Sequence, residues 1–199
     1  MTKIVEIGDP VLRTQARPLL PEEILSDEIQ NLINVMKEVM RRASGVGLAA
    51  PQIGACLQLI VIEDRKEYHS RLSAKQIAER ERTEIPFHVL INPKLTIIEA
   101  DTAKFFEACL SIPGWTAIVP RAKAVQVEYL NEKGEPCTVT AKGWYARILQ
   151  HEIDHINGTL YIDRAYLRTF MTMESNHRLW KDKSVSDVMQ SFNCSGLEK

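Results

Sequence analysis

One helix near residue 150 constrains this chain more than any other feature, because it carries four polar side chains inside an apolar stretch. The segment His151-Glu152-Ile153-Asp154-His155 is flanked by isoleucines and leucine, and glycines at positions 143 and 158 bracket a predicted helix over residues 144–157. Burying two imidazoles and two carboxylates is costly unless they find partners. The helix therefore favours metal binding over the alternative of two histidines satisfied by ordinary hydrogen bonds.

The spacing of the two histidines suits a single metal ion. Positions 151 and 155 lie one turn apart on the same helix face, and Glu152 can reach a water on that ion as a general base. A catalytic site usually needs a third protein ligand. Two candidates stay open from the residues alone: Glu174, nineteen residues beyond His155 as in thermolysin-like zinc peptidases, and Cys109, between a strand and a Pro-Gly turn.

The remaining segments predict strands in runs, with few helices between them. This order indicates an α+β fold: antiparallel β-sheets packed around a central helix that carries HExxH, with an N-terminal helix and a C-terminal helix, in one domain over residues 1–199. The predicted helices cover Pro21–Ser44, with Ser26 as N-cap, and Arg164 onward, and residues 64–86 form a polar surface loop with a short helix. The predicted strands are residues 57–62, 87–91, 95–98, 103–110 and 161–163, with a hairpin turn at 131–134.

Composition excludes several classes of protein. The 25 basic and 26 acidic residues leave a net charge of −1, which excludes a nucleic-acid binder that relies on general positive charge. No apolar run approaches the roughly 18 residues that a membrane span needs. Four scattered cysteines without a C-x-x-C pair, and a start that resembles neither a signal peptide nor a transit peptide, predict a reducing, cytoplasmic compartment. His69, His88 and His177 are interpreted as surface residues.

A third segment, Gly45-Val-Gly-Leu-Ala-Ala-Pro-Gln52, is rich in small residues that permit a close approach of backbone to ligand. Together with Glu107-Ala-Cys-Leu-Ser111 and Gln150-His-Glu-Ile-Asp-His155, in that order, it resembles the three motifs of peptide deformylases. The resemblance covers most of the chain, from about Asp9 to the terminal helix. One position departs from the family pattern: Ala108 replaces the usual glycine, and its methyl group would narrow the cleft if that glycine serves close substrate approach.

The resemblance implies a metal centre and a reaction. Cys109, His151 and His155 would hold one divalent ion, with Fe²⁺ as the native metal and Zn²⁺, Ni²⁺ and Co²⁺ chemically acceptable. The reaction would be hydrolysis of the formyl group from N-formylmethionyl peptides, with Glu152 as general base and release of formate. The side-chain amide of Gln52 and the backbone N–H of Leu110 would stabilise the oxyanion.

The resemblance also implies substrate-binding residues and partners. Gly47 would let the loop that starts at Gly45 approach the substrate, and Arg147 and Ile148 would border the methionine pocket beside Ala108. The substrates would be nascent N-formylmethionyl peptides, and docking near the ribosome exit region would suit such an enzyme. Glu107 is either an acid that orients its neighbours or an ordinary strand-end acid. The alternatives to a deformylase are a thermolysin-like zinc peptidase, with Glu174 as third ligand, and a non-catalytic metal- or peptide-binding module.

Overall fold

The computed structural model describes residues 2–70 and 72–194, so the ends of the predicted 1–199 domain and of the predicted C-terminal helix lie outside the described residues. Its helices are α1 Pro21–Ile24, α2 Asp27–Arg42, α3 Lys66–His69, α4 Ala74–Glu79, α5 Gly143–Ile156, α6 Tyr161–Arg164, α7 Met173–Trp180 and α8 Val185–Ser191. Its strands are β1 Gly47–Ala49, β2 Leu59–Asp64, β3 Ile85–Cys109, β4 Ile112–Leu130, β5 Pro136–Lys142 and β6 Met171–Thr172. In the described part of the chain, no helix is both long and apolar enough to cross a membrane.

The strands form an antiparallel arrangement, which confirms the α+β prediction with antiparallel sheet. Their order is β1-β2-β3-β4-β5, and β6 pairs with the start of β4. Strands β3 and β4 form one long hairpin, which closes where Cys109 pairs with Ile112. Helix α5 contacts all five strands of the main order, so the end of the hairpin and the HExxH segment come close together.

Strand β2 is covered on both faces, as its continuous apolar run predicts. Ile60 and Ile62 belong to the core cluster that includes the apolar side of α5, whereas Leu59 and Val61 belong to the cluster that includes α2. This division follows from the alternation of side chains along a strand. Burying each of these side chains contributes about 1.5–3 kcal/mol relative to leaving it exposed. The first cluster holds α5 on one face of the sheet, and the second holds α2 on the other.

The predicted helix Pro21–Ser44 is two helices, because the chain breaks before Ser26. Ser26 has extended backbone angles and its hydroxyl accepts the N–H of Ile29, so it caps α2 as the sequence predicts and leaves α1 as a separate single turn. The helix ends at Arg42, and Ser44 adopts a left-handed conformation at φ 53°.

The separate strands predicted at 87–91, 95–98 and 103–110 are one strand, β3. Asn92-Pro93 does not end the strand; it forms a bulge in which Asn92 has φ 52° and the register against β4 shifts. The amide of Asn92 compensates by accepting the N–H of Leu19 and donating to its carbonyl. The side chain at the bulge is therefore paired with the backbone of a distant residue, and β3 continues past the break in the apolar pattern.

The strand predicted at 161–163 is wrong, because this segment is helix α6. The carboxylate of Asp163 accepts the N–H of Leu160 at 2.8 Å and satisfies a free donor at the helix start. The single helix predicted from Arg164 onward is also wrong. Thr172 and Ser184 each cap a new helix, so α7 and α8 are separate.

The polar stretch 64–86 forms two short helices, α3 and α4, rather than one. It is tied to the sheet by Asp64, which is buried and accepts two hydrogen bonds from Arg82. His69 lies 3.2 Å from the same carboxylate, and His88 contacts the hydroxyl of Tyr145 at 2.8 Å. Both histidines are half-buried, so their interpretation as surface residues is wrong, while the same interpretation is confirmed for His177.

Candidate active site

Three candidate metal ligands come together where the long hairpin meets helix α5. The helix presents His151 and His155 one turn apart, and β3 ends at Cys109. One ligand atom from each residue lies within 4.8 Å of the other two, and Sγ of Cys109 is 3.2 Å from Nε2 of His155. Glu174, the other candidate for third ligand, is exposed in the first turn of α7 and is not part of this group.

The residues of this group fit a divalent transition metal. A thiolate and two imidazoles are a common donor set for such ions. The Nδ1 atom of His151 is 2.9 Å from a carboxylate oxygen of Glu107, which leaves Nε2 of His151 available for coordination. Glu152 and His155 each have a buried polar atom without a hydrogen-bond partner, Oε2 and Nδ1 respectively, in the described structure. Unpartnered buried polar atoms are costly, so the Oε2 atom of Glu152 is placed for a partner that the protein's side chains do not supply.

Glu107 contacts one candidate metal ligand and two buried arginines, so its contacts are not those of an ordinary strand-end acid. It is 6% exposed and, besides His151, accepts hydrogen bonds from Arg121 at 3.0 Å and from Arg147 at 2.5 Å. Burial alone would raise the pKa of the Glu107 carboxyl, but the charge of Arg121 and the hydrogen bond with His151 hold that pKa well below its usual range. The carboxylate is therefore ionised and fixes the ring of His151.

The acid at position 154 belongs to the same buried charge network. Asp154 accepts hydrogen bonds from Arg121 at 2.5 Å and from Arg164 at 2.7 Å. Arg121 thus bridges Glu107 on β3 and Asp154 on α5. Neither arginine was predicted as part of the site. Arg121 stands in a mostly apolar segment, 117–127, that also holds Lys123, so its charge alone does not mark it as buried.

Glu152 lies against the small-residue segment. It is 4% exposed, and burial raises the pKa of its carboxyl to about 7. A Cβ atom added to Gly47 would lie 2.7 Å from Cδ of Glu152. Gly47 is therefore required for the approach of the Glu152 side chain. The resemblance implied only that this glycine serves substrate approach.

The Gln52 amide is oriented toward the metal-ligand group. Its oxygen accepts the backbone N–H of Ala49 at 2.9 Å, so its NH₂ group points the other way. That nitrogen lies 3.5 Å from Sγ of Cys109 and 3.3 Å from the hydroxyl of Ser111. A hydrogen-bond donor is thereby held beside the sulfur.

A cleft of about 450 Å³ opens onto this group. Leu110 and Gly45 lie together in its wall, since a Cβ on the glycine would be 2.9 Å from Cδ1 of Leu110. Ala108 is exposed and does not have a positive φ, so its methyl group is accommodated without backbone strain. The sequence-predicted residues that line the cleft are Gly45, Gly47, Gln52, Glu107, Ala108, Cys109, Leu110, Arg147, Ile148, His151 and Glu152.

Other walls of the cleft were not foreseen. Phe106, Trp144 and Met173 line it and make its outer part apolar. Arg147 also lines the cleft, but its guanidinium is turned into the charge network, where it donates to Glu107 and to the carbonyls of Ala103 and Val119. The apolar residues were missed because they are spread over β3, α5 and α7 with no local motif.

The protein has an antiparallel α+β fold in which Cys109 of β3 and two histidines of α5 form a candidate metal centre. It therefore falls in the class of α+β proteins with a candidate single-metal site. The family model described as polypeptide deformylase matches residues 1–170. The chain belongs to the peptide deformylase family.

Relatives and solved structures show the same likeness. The chain is 48% identical over 175 residues to "Peptide deformylase 1A, chloroplastic" of Solanum lycopersicum, a match that covers 88% of this chain and 63% of the relative's length. A crystal structure of a peptide deformylase from Synechococcus elongatus in complex with actinonin is 39% identical, with a TM-score of 0.68 over 82% of this chain and 78% of that one. A Met-Ala-Ser bound class I type b peptide deformylase from Acinetobacter baumannii is 30% identical, with a TM-score of 0.72 over 82% of this chain and 99% of that one.

Proposed function

We propose that this protein is a metal-dependent hydrolase that removes the formyl group from N-formylmethionyl peptides and releases formate. The observation that carries the proposal is the grouping of Cys109, His151 and His155 within 4.8 Å, beside the buried carboxylate of Glu152. Family membership and the Met-Ala-Ser complex of the Acinetobacter protein support a peptide substrate that begins with methionine.

The three ligands would hold one divalent ion, for which Fe²⁺ is our proposal as the native metal. Zn²⁺, Ni²⁺ and Co²⁺ suit the same thiolate and imidazole donors. When bound, such an ion supplies Lewis-acid polarisation of a carbonyl oxygen and a lowered pKa of water. The role of Glu107 is to hold the ring of His151 so that its Nε2 faces the site.

The protein's own groups move the proton and stabilise the developing charge. Glu152 accepts the proton of the attacking water and returns it to the leaving amine. The NH₂ group of Gln52 donates a hydrogen bond to the oxyanion, and we assign the backbone N–H of Leu110 as a second donor. One such donor is typically worth about 3 kcal/mol of the activation barrier.

The methionine side chain would occupy the cleft, whose walls suit an apolar thioether. Ile148 and Leu110 supply apolar walls, and Gly45 and Ala108 lie at the same cleft. Arg147 borders this pocket and at the same time neutralises Glu107. The proposed substrates are nascent peptides, and docking near the ribosome exit region remains part of the proposal.

The organisation and location of the protein also remain proposals. We propose one catalytic domain over residues 1–199, with α5 as the central helix around which the sheet packs. We propose a cytoplasmic location, although the tomato relative carries the printed name chloroplastic.

Formate release tests the proposal directly. Protein purified without oxygen, because a thiolate beside Fe²⁺ is prone to oxidation, should release formate from a formyl-Met dipeptide and contain close to one equivalent of metal. Removal of the metal with a chelator should abolish the activity, and added Fe²⁺ should restore it. Metal-loaded protein that releases no formate would contradict the proposed function.

Two substitutions separate the deformylase from the thermolysin-like peptidase. Cys109→Ala should lose most of the bound metal, whereas Glu174→Ala should keep it, because Glu174 is exposed and outside the ligand group. Metal content per folded protein is the measurement, and Cys56→Ala, at a half-buried free cysteine, is the matched control. Metal retained by Cys109→Ala and lost by Glu174→Ala would favour the peptidase.

A further inference from the structure

We propose that a positively charged groove beside the cleft binds acidic residues of the substrate peptide downstream of its formylmethionine. This inference rests on the proposed deformylase function and names a preference within it. The groove lies between α4, the β3–β4 hairpin and the two C-terminal helices, and we call it the basic groove. Its charged and titratable lining residues are Glu79, Arg80, Lys104, His177, Lys181 and Lys183.

The basic groove continues from the active-site cleft. Phe106 and Met173 line both spaces, so the groove adjoins the cleft, and a chain that leaves the cleft past these side chains reaches the groove. The groove has a volume of about 580 Å³, larger than the cleft itself. An extended peptide advances about 3.3 Å per residue, so a space of this size accommodates several residues after the methionine.

Four cations and one acid line the groove. Within residues 2–70 and 72–194, Arg80, Lys104, Lys181 and Lys183 make no ion pair within 4.0 Å. The acid in the lining, Glu79, lies 3.8 Å from Lys75 and its charge also acts on Arg80, and the charge of Asp187, outside the lining, interacts with that of Lys183. The groove therefore concentrates positive charge on a chain whose net charge is −1.

Arg80 connects the groove to the wall of the cleft. Its guanidinium lies 4.9 Å from the ring centre of Trp144, which lines the cleft, and 5.8 Å from that of Phe105. The backbone carbonyl of Arg80 accepts the N–H of Trp144 at 2.8 Å, so the main chain at Arg80 is held beside a residue that lines the cleft.

These observations favour a peptide over a nucleic acid as the occupant. The four cations of the groove stand beside the cleft, where a peptide would be held, whereas general nucleic-acid binding draws on basic residues spread along a surface. A peptide held by its methionine in the cleft is also tethered at the groove entrance, so its downstream carboxylates meet these cations at high effective concentration.

The test compares formyl-Met peptides that carry Glu, Gln or Lys at each of positions 3 to 6. For the wild-type protein we expect kcat/KM to be about fivefold higher with Glu than with Lys in at least one position, because each exposed ion pair with the groove adds a small favourable binding free energy. The ratio should fall toward one at 0.5 M salt. In the triple variant K104Q/K181Q/K183Q the ratio should fall toward one at low salt as well.

A triple variant of the same charge change is the control. Lys66, Lys94 and Lys133 are exposed and outside the lining of the groove, so K66Q/K94Q/K133Q should keep the wild-type ratio. A wild-type ratio near one at every position would overturn the inference. So would an unchanged ratio in the groove variant accompanied by weaker ribosome binding, which would assign the groove to RNA. Absence of formate release from all peptides would instead overturn the proposed function.

Discussion

Glu152→Gln is expected to lower formate release by about 10²- to 10⁴-fold while the protein keeps its metal. Glutamine preserves the shape of the side chain but cannot accept a proton. Glu152 is 4% exposed and packs against Gly47, so a substitution of equal size should leave the surroundings in place. The pKa of about 7 that burial gives this carboxyl suits a group that takes and returns a proton near neutral pH.

The measurement is kcat/KM on a formyl-Met peptide together with metal content of the same sample. Glu38→Gln is the matched control, because Glu38 is an exposed helical glutamate on α2. Turnover within tenfold of wild type would show that Glu152 is not the general base. Full metal content with no activity in the wild type as well would favour the non-catalytic binding module.

Local sequence patterns predicted the parts of the fold that depend on local forces. The periodicity and bracketing glycines of residues 143–158 indicate a helix, and the structure has α5 over Gly143–Ile156. The serine at position 26 predicts a cap, and it forms one. One error occurs where a distant contact decides, at Asn92, whose amide pairs with Leu19 across 73 residues and keeps β3 continuous. Other errors are missed local caps, as at Thr172 and Ser184, which divide the C-terminal segment into separate helices.

The candidate site shows the same division. The pair His151 and His155 is local to one helix turn, so spacing alone predicts it. The choice between Cys109 and Glu174 depends on where the β3–β4 hairpin ends relative to α5, and only the resemblance favoured Cys109. The pairing of Asp154 with Arg121 was beyond local reasoning, because the two residues lie 33 positions apart in sequence, whereas its second partner, Arg164, is ten positions away on α6.

Glu107→Gln is expected to lower the free energy of unfolding by about 3–5 kcal/mol, because it leaves buried cations without their counter-charge. Arg121 and Arg147 are each 3% exposed and both donate to this carboxylate. Arg121 retains Asp154, but the remaining hydrogen bonds of Arg147 go to backbone carbonyls only. The measurement is urea unfolding of wild type and variant, with Glu128→Gln, an exposed site on β4, as control.

The same substitution should also weaken metal binding by about 10- to 100-fold in protein that is still folded. Glu107 is the acceptor that faces Nδ1 of His151, and a glutamine there can present either its oxygen or its nitrogen to that ring. Competition with a chelator under conditions where both proteins are fully folded separates this effect from the loss of stability. Wild-type metal affinity in a destabilised variant would assign Glu107 to the charge network alone. If the free energy of unfolding of Glu107→Gln lies within about 0.5 kcal/mol of the wild-type value, the buried-charge argument is contradicted, because the arginines have then found other partners.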